Sequence, residues 1–352
     1  MSISGTVHGG RVLGKESVKT LVTGGTGFLG SHLVERLLAQ GHEVRALARK
    51  TSDITHLRAI GAQIISGDVE DYESLLPAVK GVDVVYHAAA RVMPGWGAWK
   101  WFESSIIKGT DNMLKASAEA GVPRFLHVST GSVHGKLCEG DMPLCESTPC
   151  SVVFCPDAYY DYAKVEAEKV AFDYHKKGKI QVSMIRIAAV YGPRDRLLAD
   201  RIYRQMSAPI VVWPGESNSQ YSMVYATDAA DLAILVATSD RAQGEMYNVA
   251  DSHAVRLREF AAAMLKAMGG PKPQVTIPYS VAYVSCTLME MWSRLRRVKE
   301  MPYLTRSGLR FVNKGIYLDG TKARDELGWQ PKVSIEEGAT LYVQWRRSQK
   351  KR

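Results

Sequence analysis

Short apolar, β-branched runs alternate with amphipathic stretches through the first half of the chain. The run at residues 18–23 is followed by 31–40, which carries Leu33, Val34 and Leu37 on a helical period and ends at Gly41. Further strand-like runs, with room between them for crossover helices, lie at 42–48, 63–66, 82–87, 124–129 and 181–190. This alternation predicts an α/β protein with a doubly wound parallel sheet.

The pattern loosens after Tyr191-Gly192-Pro193, where prolines interrupt shorter elements. We therefore predict a flexible leader at 1–17 and a nucleotide-binding domain at 18–192. Residues 193–345 are expected to form a smaller C-terminal, mainly substrate-binding lobe with some elements returning to the sheet. Residues 346–352, five of them basic, are predicted to be a solvated tail, with contact to anionic lipid as the alternative.

The composition is that of a folded enzyme. The chain has 352 residues, of which 46% are hydrophobic and 23% charged, close to the average for globular proteins. The net charge of +9 is spread along the chain without a recognition motif, so nucleic-acid binding is not expected. The leader lacks the apolar core of a signal peptide, which predicts a cytoplasmic protein.

Four of the five cysteines fall close together, which raises the question of a metal or disulfide site. No two of them form a C-x-x-C pair and the total is odd, so we predict free thiols and no metal site. The five are Cys138, Cys145, Cys150, Cys155 and Cys286.

A glycine-rich turn follows the first predicted strand directly and leads into a helix. Gly24, Gly27 and Gly30 are spaced three apart. The first permits a tight turn, the second lets backbone approach a pyrophosphate, and the third lets helix and strand pack closely. Strand, turn and helix together predict dinucleotide binding.

The end of the second strand bears on the choice of cofactor. An acidic residue there would accept hydrogen bonds from a ribose, but Arg49 and Lys50 follow Ala48 instead. Two cations suit a 2′-phosphate, so NADP(H) is favoured over NAD(H). In the alternative, Arg49 stacks on the adenine and Asp53 reaches back to the ribose.

Among three neighbouring tyrosines, only Tyr160 has a lysine four residues on, Lys164. On a helix this spacing puts both on one face, where a cation would favour the tyrosinate and tune its pKa toward the working range. The spacing alone is common in surface helices. The glycine turn, together with the hydroxyls of residues 128–132 at a strand end, makes it a candidate catalytic pair.

With these features in place, the chain resembles the extended short-chain dehydrogenase/reductase superfamily, whose fold is a Rossmann sheet. The matching segments are 23–30, 67–69, 87–90, 109–110, 128–135, 160–164 and 190–193. The resemblance implies that Tyr160 and Lys164 bind the nicotinamide ribose as well as handling the proton, and that Thr130 is the catalytic hydroxyl residue, with Ser129 as the fallback. It further implies cofactor contacts from Thr26, Phe28, Leu29, Asp68, Val69, Ala88, Ala89, Ala90, Ile187 and Val190.

Residues 90–99 and 315–329 look like the branch that contains bacterial 3β-hydroxysteroid dehydrogenases and long-chain 3-oxoacid reductases. Three residues depart from the wider pattern: Ile106 replaces an Asn, Ile187 a Pro and His134 a Tyr. Ile106 puts in doubt any proton relay that uses that Asn.

Apolar residues suggest the kind of substrate. Trp96, Trp99, Trp101 and Phe102 follow the cofactor strand, and residues 275–292 are apolar with few charges. They could wall a pocket for a lipid-like molecule, although such runs are often core. Residues 275–292 with the basic residues after them could instead rest on a membrane. Trp96, Thr130 and Ser132 are the predicted substrate contacts.

The sequence therefore predicts an NADP(H)-dependent oxidoreductase that interconverts a ketone and a secondary alcohol on a bulky, lipid-like substrate. One alternative is a nucleotide-sugar epimerase or dehydratase with tightly bound NAD. Another is a non-catalytic nucleotide sensor. We expect a small-molecule substrate, a homodimer, and peripheral membrane contact as the one additional partner.

Overall fold

The structure is a computed structural model that describes residues 17–92, 96–139, 142–251, 253–298, 302 and 305–349, without the side chains of 136–139. Almost all of the predicted leader, the Cys138 side chain and the last three residues of the predicted tail lie outside the described residues.

The strands alternate with helices along the first half of the chain, as predicted. In chain order they are β1 Lys19–Thr23, β2 Glu43–Ala48, β3 Gln63–Ser66, β4 Val84–His87, β5 Arg124–Thr130, β6 Gln181–Ile187, β7 Ala189–Tyr191, β8 Val211–Pro214, β9 Gln220–Tyr221, β10 Met223–Tyr225, β11 Met246–Val249, β12 Val255–Arg256 and β13 Gln274–Ile277.

The α-helices are α1 Phe28–Ala39, α2 Thr55–Ala59, α3 Tyr72–Val79, α4 Trp99–Phe102, α5 Gly109–Glu119, α6 Tyr159–Lys176, α7 Ala199–Ser207, α8 Ala226–Thr238, α9 Leu257–Met268, α10 Tyr279–Leu295, α11 Arg306–Asn313, α12 Thr321–Leu327 and α13 Ile335–Gln349. A π-helical segment, Glu103–Lys108, joins α4 to α5.

Seven parallel strands form the main sheet in the order β11-β6-β5-β4-β1-β2-β3. The order reverses direction between β1 and β4, so two crossovers diverge there and leave a crevice at the carboxyl edge, where ligands of such sheets bind. The expected Rossmann sheet is confirmed. The predicted run 181–190 divides, because β7 leaves the sheet and pairs with β10.

Two helical layers cover the sheet. Consecutive strand residues point to opposite faces, so Val22 packs in a core with α1 and α8, whereas Leu21 packs in a core with α3 and α5. Both α8 and β11 follow residue 193 in the chain, and they return to this sheet.

A third core lies in the second half, where α7, α9 and α13 pack around the fully buried Phe260 and Tyr342. Arg346 belongs to α13: it pairs with Asp200 at 2.9 Å and lies over the Tyr203 ring. The predicted tail begins inside α13, which continues to Gln349. Arg346 is half-buried, whereas residues 347–349 are exposed to solvent.

Candidate active site

The glycine turn has the geometry that close approach of a ligand requires. Gly24 has φ of 72°, and a Cβ atom there would lie 2.8 Å from the backbone of Ala88 and Ala89. A Cβ on Gly30 would lie 2.1 Å from the Gly24 carbonyl oxygen. Gly27 donates its N–H to that same oxygen at 2.8 Å. Side chains would therefore break the turn at Gly24 and Gly30.

Helix α1 begins directly after the turn, with Gly27 at its N-cap. No side chain caps this end and its first turn has no acidic residue, so backbone N–H groups and the positive end of the helix dipole face outward. Thr26 and Gly27 are exposed, and Phe28 and Leu29 half-buried. These residues fit a pyrophosphate, as predicted from the sequence.

The end of β2 carries exposed positive charge. Arg49 and Lys50 follow β2 and are both exposed. Asp53 Oδ1 accepts from the Thr55 N–H at 3.0 Å, a hydrogen bond that lowers the pKa of Asp53. Asp53 is thus engaged at the start of α2, which disfavours the alternative in which it reaches the ribose. Asp68 is half-buried and Val69 buried.

A residue that sequence reasoning missed, Thr23, braces the cofactor side of β4. Its hydroxyl accepts from the Ala89 N–H at 3.2 Å and lies 2.9 Å from His87 Nδ1. Burial and then Lys164 lower the pKa of His87 to about 3, so its imidazole is neutral. Ala88, Ala89 and Ala90 are thereby held half-buried beside the glycine turn.

Tyr160 lies at the carboxyl edge of the sheet, on the first turn of α6, and packs with Phe102 and Ile106. Burial raises the pKa of its phenol, Asp161 raises it further, and a hydrogen bond with Thr130 opposes both. Tyr160 is therefore protonated at neutral pH. Ile106 lies in the π-helical segment and covers Tyr160 with an apolar side chain.

Lys164 is buried on the same helix, and its Nζ donates to the Val128 carbonyl oxygen at 2.8 Å. Burial lowers the pKa of Lys164 to about 8, and Glu168 opposes the change. In the structure the Lys164 ammonium is thus held by the backbone of β5.

A chain of hydroxyl groups links Tyr160 to a carboxyl group. Thr130, which hydrogen-bonds Tyr160, has its Oγ1 3.1 Å from Ser132 Oγ, and Ser132 Oγ donates to Asp161 Oδ1 at 2.6 Å. Burial raises the pKa of Asp161 from 3.8 to about 6, against the Ser132 hydrogen bond and the charge of Arg310. Sequence reasoning missed Asp161, because neighbours in a helix do not share a face.

Ser129 has different hydrogen-bond partners from Thr130. Its Oγ donates to Glu168 at 2.5 Å, and Glu168 is also held by both Arg186 Nε and Nη2, at 2.9 and 2.7 Å. Successive residues of β5 point to opposite faces, so the hydroxyl that reaches Tyr160 is that of Thr130. The buried Glu168–Arg186 pair ties α6 to β6 and fixes the helix that carries Tyr160.

The tryptophans do not form one wall. Trp96 is buried with Arg294 5.6 Å above its ring, and Arg91 lies 5.3 Å from the Trp101 ring. Trp99 instead packs against Phe154 and two tyrosines of α6. Ile187 and Val190 are half-buried at the ends of β6 and β7, and Ile187 pairs in register with Thr130.

The Rossmann sheet and the glycine turn define the class of protein, a dinucleotide-dependent enzyme. The model of the "NAD dependent epimerase/dehydratase family" matches residues 20–250. The chain belongs to that family.

Named relatives extend over nearly the whole chain. The "2-alkyl-3-oxoalkanoate reductase" of Stenotrophomonas maltophilia is 29% identical, with 91% of this chain and 97% of the relative covered. The "sterol-4-alpha-carboxylate 3-dehydrogenase, decarboxylating" of Dictyostelium discoideum is 25% identical, with 90% and 97% covered. Among solved structures, the dTDP-glucose 4,6-dehydratase DesIV of Streptomyces venezuelae, with NAD bound, superimposes with a TM-score of 0.76 at 25% identity, covering 95% and 98%.

Proposed function

We propose that the protein is an NADP(H)-dependent oxidoreductase that interconverts a ketone and a secondary alcohol on a bulky, lipid-like substrate. The observation that carries the proposal is the buried phenol of Tyr160 on the first turn of α6, one turn before Lys164 and next to Thr130 at the end of β5. A protonated phenol is the form that a general acid needs in order to protonate a carbonyl oxygen during reduction.

The cofactor would lie along the carboxyl edge of the sheet. The N-terminus of α1 would hold its pyrophosphate, and Tyr160 and Lys164 its nicotinamide ribose. Arg49 and Lys50, both exposed after β2, would bind a 2′-phosphate through charge-assisted hydrogen bonds. When bound, the reduced nicotinamide supplies the hydride that the substrate carbon accepts.

The chain's own residues manage the proton. Tyr160 gives its phenolic proton to the substrate oxygen and is left as a tyrosinate. Thr130 then passes its hydroxyl proton to Tyr160 and recovers one from Ser132. Ser132 recovers one from Asp161, which must first take up a proton from solvent, because at neutral pH it is the carboxylate that accepts from Ser132. This relay uses contacts present in the structure, and it replaces any route through position 106, where Ile106 has no proton to give. Oxidation runs the same steps in reverse.

The substrate class rests on two supports. The Tyr160 ring packs among apolar side chains, with Phe102, Ile106 and Ala163 in its cluster. The names of the relatives specify a 2-alkyl-3-oxoalkanoate and a sterol carboxylate, both large apolar molecules with an oxygen at C3. We therefore propose a 3-oxoacid or 3β-hydroxysteroid type of substrate.

The likeness to DesIV favours a second candidate, turnover of a nucleotide sugar with retained NAD. A parallel assay separates the two. Purified protein is mixed with 3-oxoacids, sterols or nucleotide sugars, each with NADPH and with NADH, and absorbance at the nicotinamide band is followed. The proposal expects NADPH consumption with the lipid-like ketones alone. Tightly held NAD with nucleotide-sugar turnover would replace it with the second candidate.

The cofactor preference has its own test. Arg49→Ala is expected to raise the KM for NADPH by roughly tenfold, the loss of one charge-assisted contact, and to leave the KM for NADH unchanged. Arg45→Ala is the matched control, since Arg45 lies on the same strand but donates to the backbone of Lys80 at 2.7 Å. Equal effects of Arg49→Ala on both cofactors would refute the NADP(H) assignment.

A further inference from the structure

Helix α10 presents an apolar face to solvent. Its most exposed side chains recur every three or four residues and so form one stripe along the helix. We call this the outer stripe; its members are each between 53% and 78% exposed, and they are Val281, Val284, Leu288, Met291, Trp292 and Leu295.

The opposite face of α10 is the less apolar one. Its buried residues are Ala282, Cys286, Glu290 and Ser293. A surface helix of a soluble domain normally turns its large apolar side chains inward and its polar ones outward. Here the large apolar side chains are outside, and a contiguous exposed patch of this kind marks an interaction surface.

The charge around the outer stripe is positive. Arg294, Arg296 and Arg297 stand at its C-terminal end and are exposed, and Arg296 lies 4.4 Å over the Trp292 ring. The one acidic residue of α10 is Glu290, which is buried and accepts from the Arg306 backbone N–H at 2.6 Å and from its Nε at 2.9 Å. The arginines thus lack a carboxylate partner on their own helix.

An exposed apolar stripe can be covered by a second copy of the chain or by a lipid surface. The arginines favour the lipid surface, for the following reason. If a second copy packed its own α10 antiparallel on the stripe, the arginines would meet the first turn of that helix, which has no acidic residue. If it packed parallel, arginine would face arginine. Neither arrangement neutralises the arginines, whereas anionic lipid headgroups do so while acyl chains cover the stripe.

We propose that the outer stripe of α10, together with Arg296 and Arg297, docks this protein on an anionic membrane surface. The helix would lie in the plane of the interface. Among the described residues no helix is both long and apolar enough to cross a bilayer, so the contact is peripheral.

The inner side of the same helix contacts elements that lead to Tyr160. Arg294 lies over Trp96, and Arg306, held by Glu290, lies 3.4 Å from Asp157, three residues before Tyr160. The helix that would dock is therefore linked by these contacts to the segment that precedes Tyr160. That a lipid-like ketone passes from the bilayer to Tyr160 rests on the proposed function, whereas the docking itself does not.

Vesicle sedimentation of the full chain without cofactor or substrate tests the docking. We expect binding to phosphatidylcholine vesicles that contain phosphatidylglycerol to exceed binding to phosphatidylcholine alone by at least roughly tenfold, since each basic residue near an anionic surface contributes about 1 kcal/mol. Leu288→Glu with Leu295→Glu should abolish binding. Arg296→Gln with Arg297→Gln should weaken it by roughly tenfold and reduce its dependence on salt.

The matched controls are Leu76→Glu on α3 and Leu341→Glu on α13, both exposed leucines outside the stripe, and neither should change binding. Circular dichroism shows whether the variants fold. The proposal is overturned if wild type ignores anionic vesicles, or if the controls lose binding as much as the stripe variants. It is also overturned if the stripe variant converts a lipid-free dimer to a monomer in sedimentation velocity, because a second copy would then be the occupant.

Failure here would leave the proposed ketone reduction standing. Conversely, failure to reduce any lipid-like ketone in detergent would leave the vesicle result standing. The two outcomes are therefore distinguishable.

Discussion

Helices α6 and α10 both depart from the usual pattern in which a helix buries apolar side chains and exposes polar ones, but they depart from it in different ways. Helix α6 buries Lys164 and Glu168, and both are hydrogen-bonded, to the Val128 carbonyl and to Arg186. Helix α10 buries Glu290 but also exposes the six apolar side chains of the outer stripe. The first departure holds the proposed catalytic groups in place, and the second forms the surface that we propose docks on a membrane.

The two departures have different physical origins. A buried charge is tolerated only when it is paired and hydrogen-bonded, so the polar groups under α6 make up a connected network that must be complete. An exposed apolar side chain costs little by itself in the folded protein. The outer stripe can therefore persist without any compensation from the fold, and it should respond to substitution very differently.

The largest expected effect is on α6. Tyr160→Phe removes the proton donor while keeping the ring that packs on Phe102 and Ile106, so kcat for ketone reduction should fall by about 10²–10⁴. Nicotinamide binding, measured by fluorescence, should weaken by far less. The control is Tyr162→Phe, whose ring packs instead against Trp99 and Phe154, and it should keep wild-type kcat. If both variants retained activity, Tyr160 would not be the acid.

The next largest effect is expected on the free energy of unfolding, when the ion pair that holds each helix is broken. Arg186→Met leaves the Glu168 carboxylate buried without its partner, which should cost about 3–5 kcal/mol. Arg306→Met should cost only about 1–2 kcal/mol, because the backbone N–H of residue 306 still serves Glu290. Urea unfolding measures both. Equal losses of unfolding free energy would mean that the Arg186–Glu168 pair contributes no more to stability than the Arg306–Glu290 pair.

Asp161 should show a conflict between stability and activity. Its folded pKa of about 6 lies above its usual 3.8, so the folded protein loses stability as pH rises from about 4 to about 6 and recovers none above that. Asp161→Asn removes this loss and should raise the free energy of unfolding at pH 7 by about 1–3 kcal/mol.

The same variant interrupts the proton relay, so we expect kcat for reduction to fall by roughly tenfold, less than on loss of the acid itself. The matched variant is Asp157→Asn on the preceding turn, where Asp157 faces Arg306, and it should leave the pH dependence of kcat unchanged. A fully active Asp161→Asn enzyme would exclude the relay while leaving Tyr160 as the donor.

The smallest effect is expected on the outer stripe. Leu288→Ser removes an exposed side chain and should change the free energy of unfolding by no more than about 0.5 kcal/mol. Ala163→Leu on α6, at a fully buried position beneath Tyr160, should cost about 1–3 kcal/mol through overpacking. If Leu288→Ser proved as costly as Ala163→Leu, the stripe would be part of the folded core.

The sheet could be predicted because each of its strands up to β6 carries its own signal. Buried parallel strands are continuous apolar runs, and β1 to β6 all appear within two or three residues of their predicted ends. The division at β7 could not be predicted, nor which of the later strands returns to the sheet, since both depend on which distant strand offers a partner. The basic residues at 346–352 indicated solvent exposure but not a helix. The helix continues to Gln349 because Tyr342 and Trp345 anchor α13 in a core.

The site divides in the same way. The glycine turn, Tyr160, Lys164 and Thr130 are set by short-range spacing, so the sequence brought them forward as candidates. Thr23 and Asp161 make their contacts with other elements of the fold. The residues next to them in the sequence do not indicate these contacts. The position of Lys164 against Val128 likewise depends on how α6 packs on β5, which a spacing of four residues cannot reveal.

The central claim is that the protein transfers a hydride from external NADPH to a lipid-like ketone. Deuterium placed at C4 of the reduced nicotinamide tests it directly, with the product alcohol examined by mass spectrometry. The account predicts one deuterium on the carbinol carbon for each NADP⁺ released, and none with Tyr160→Phe. An unlabelled product formed while NAD stays bound to the protein would contradict it.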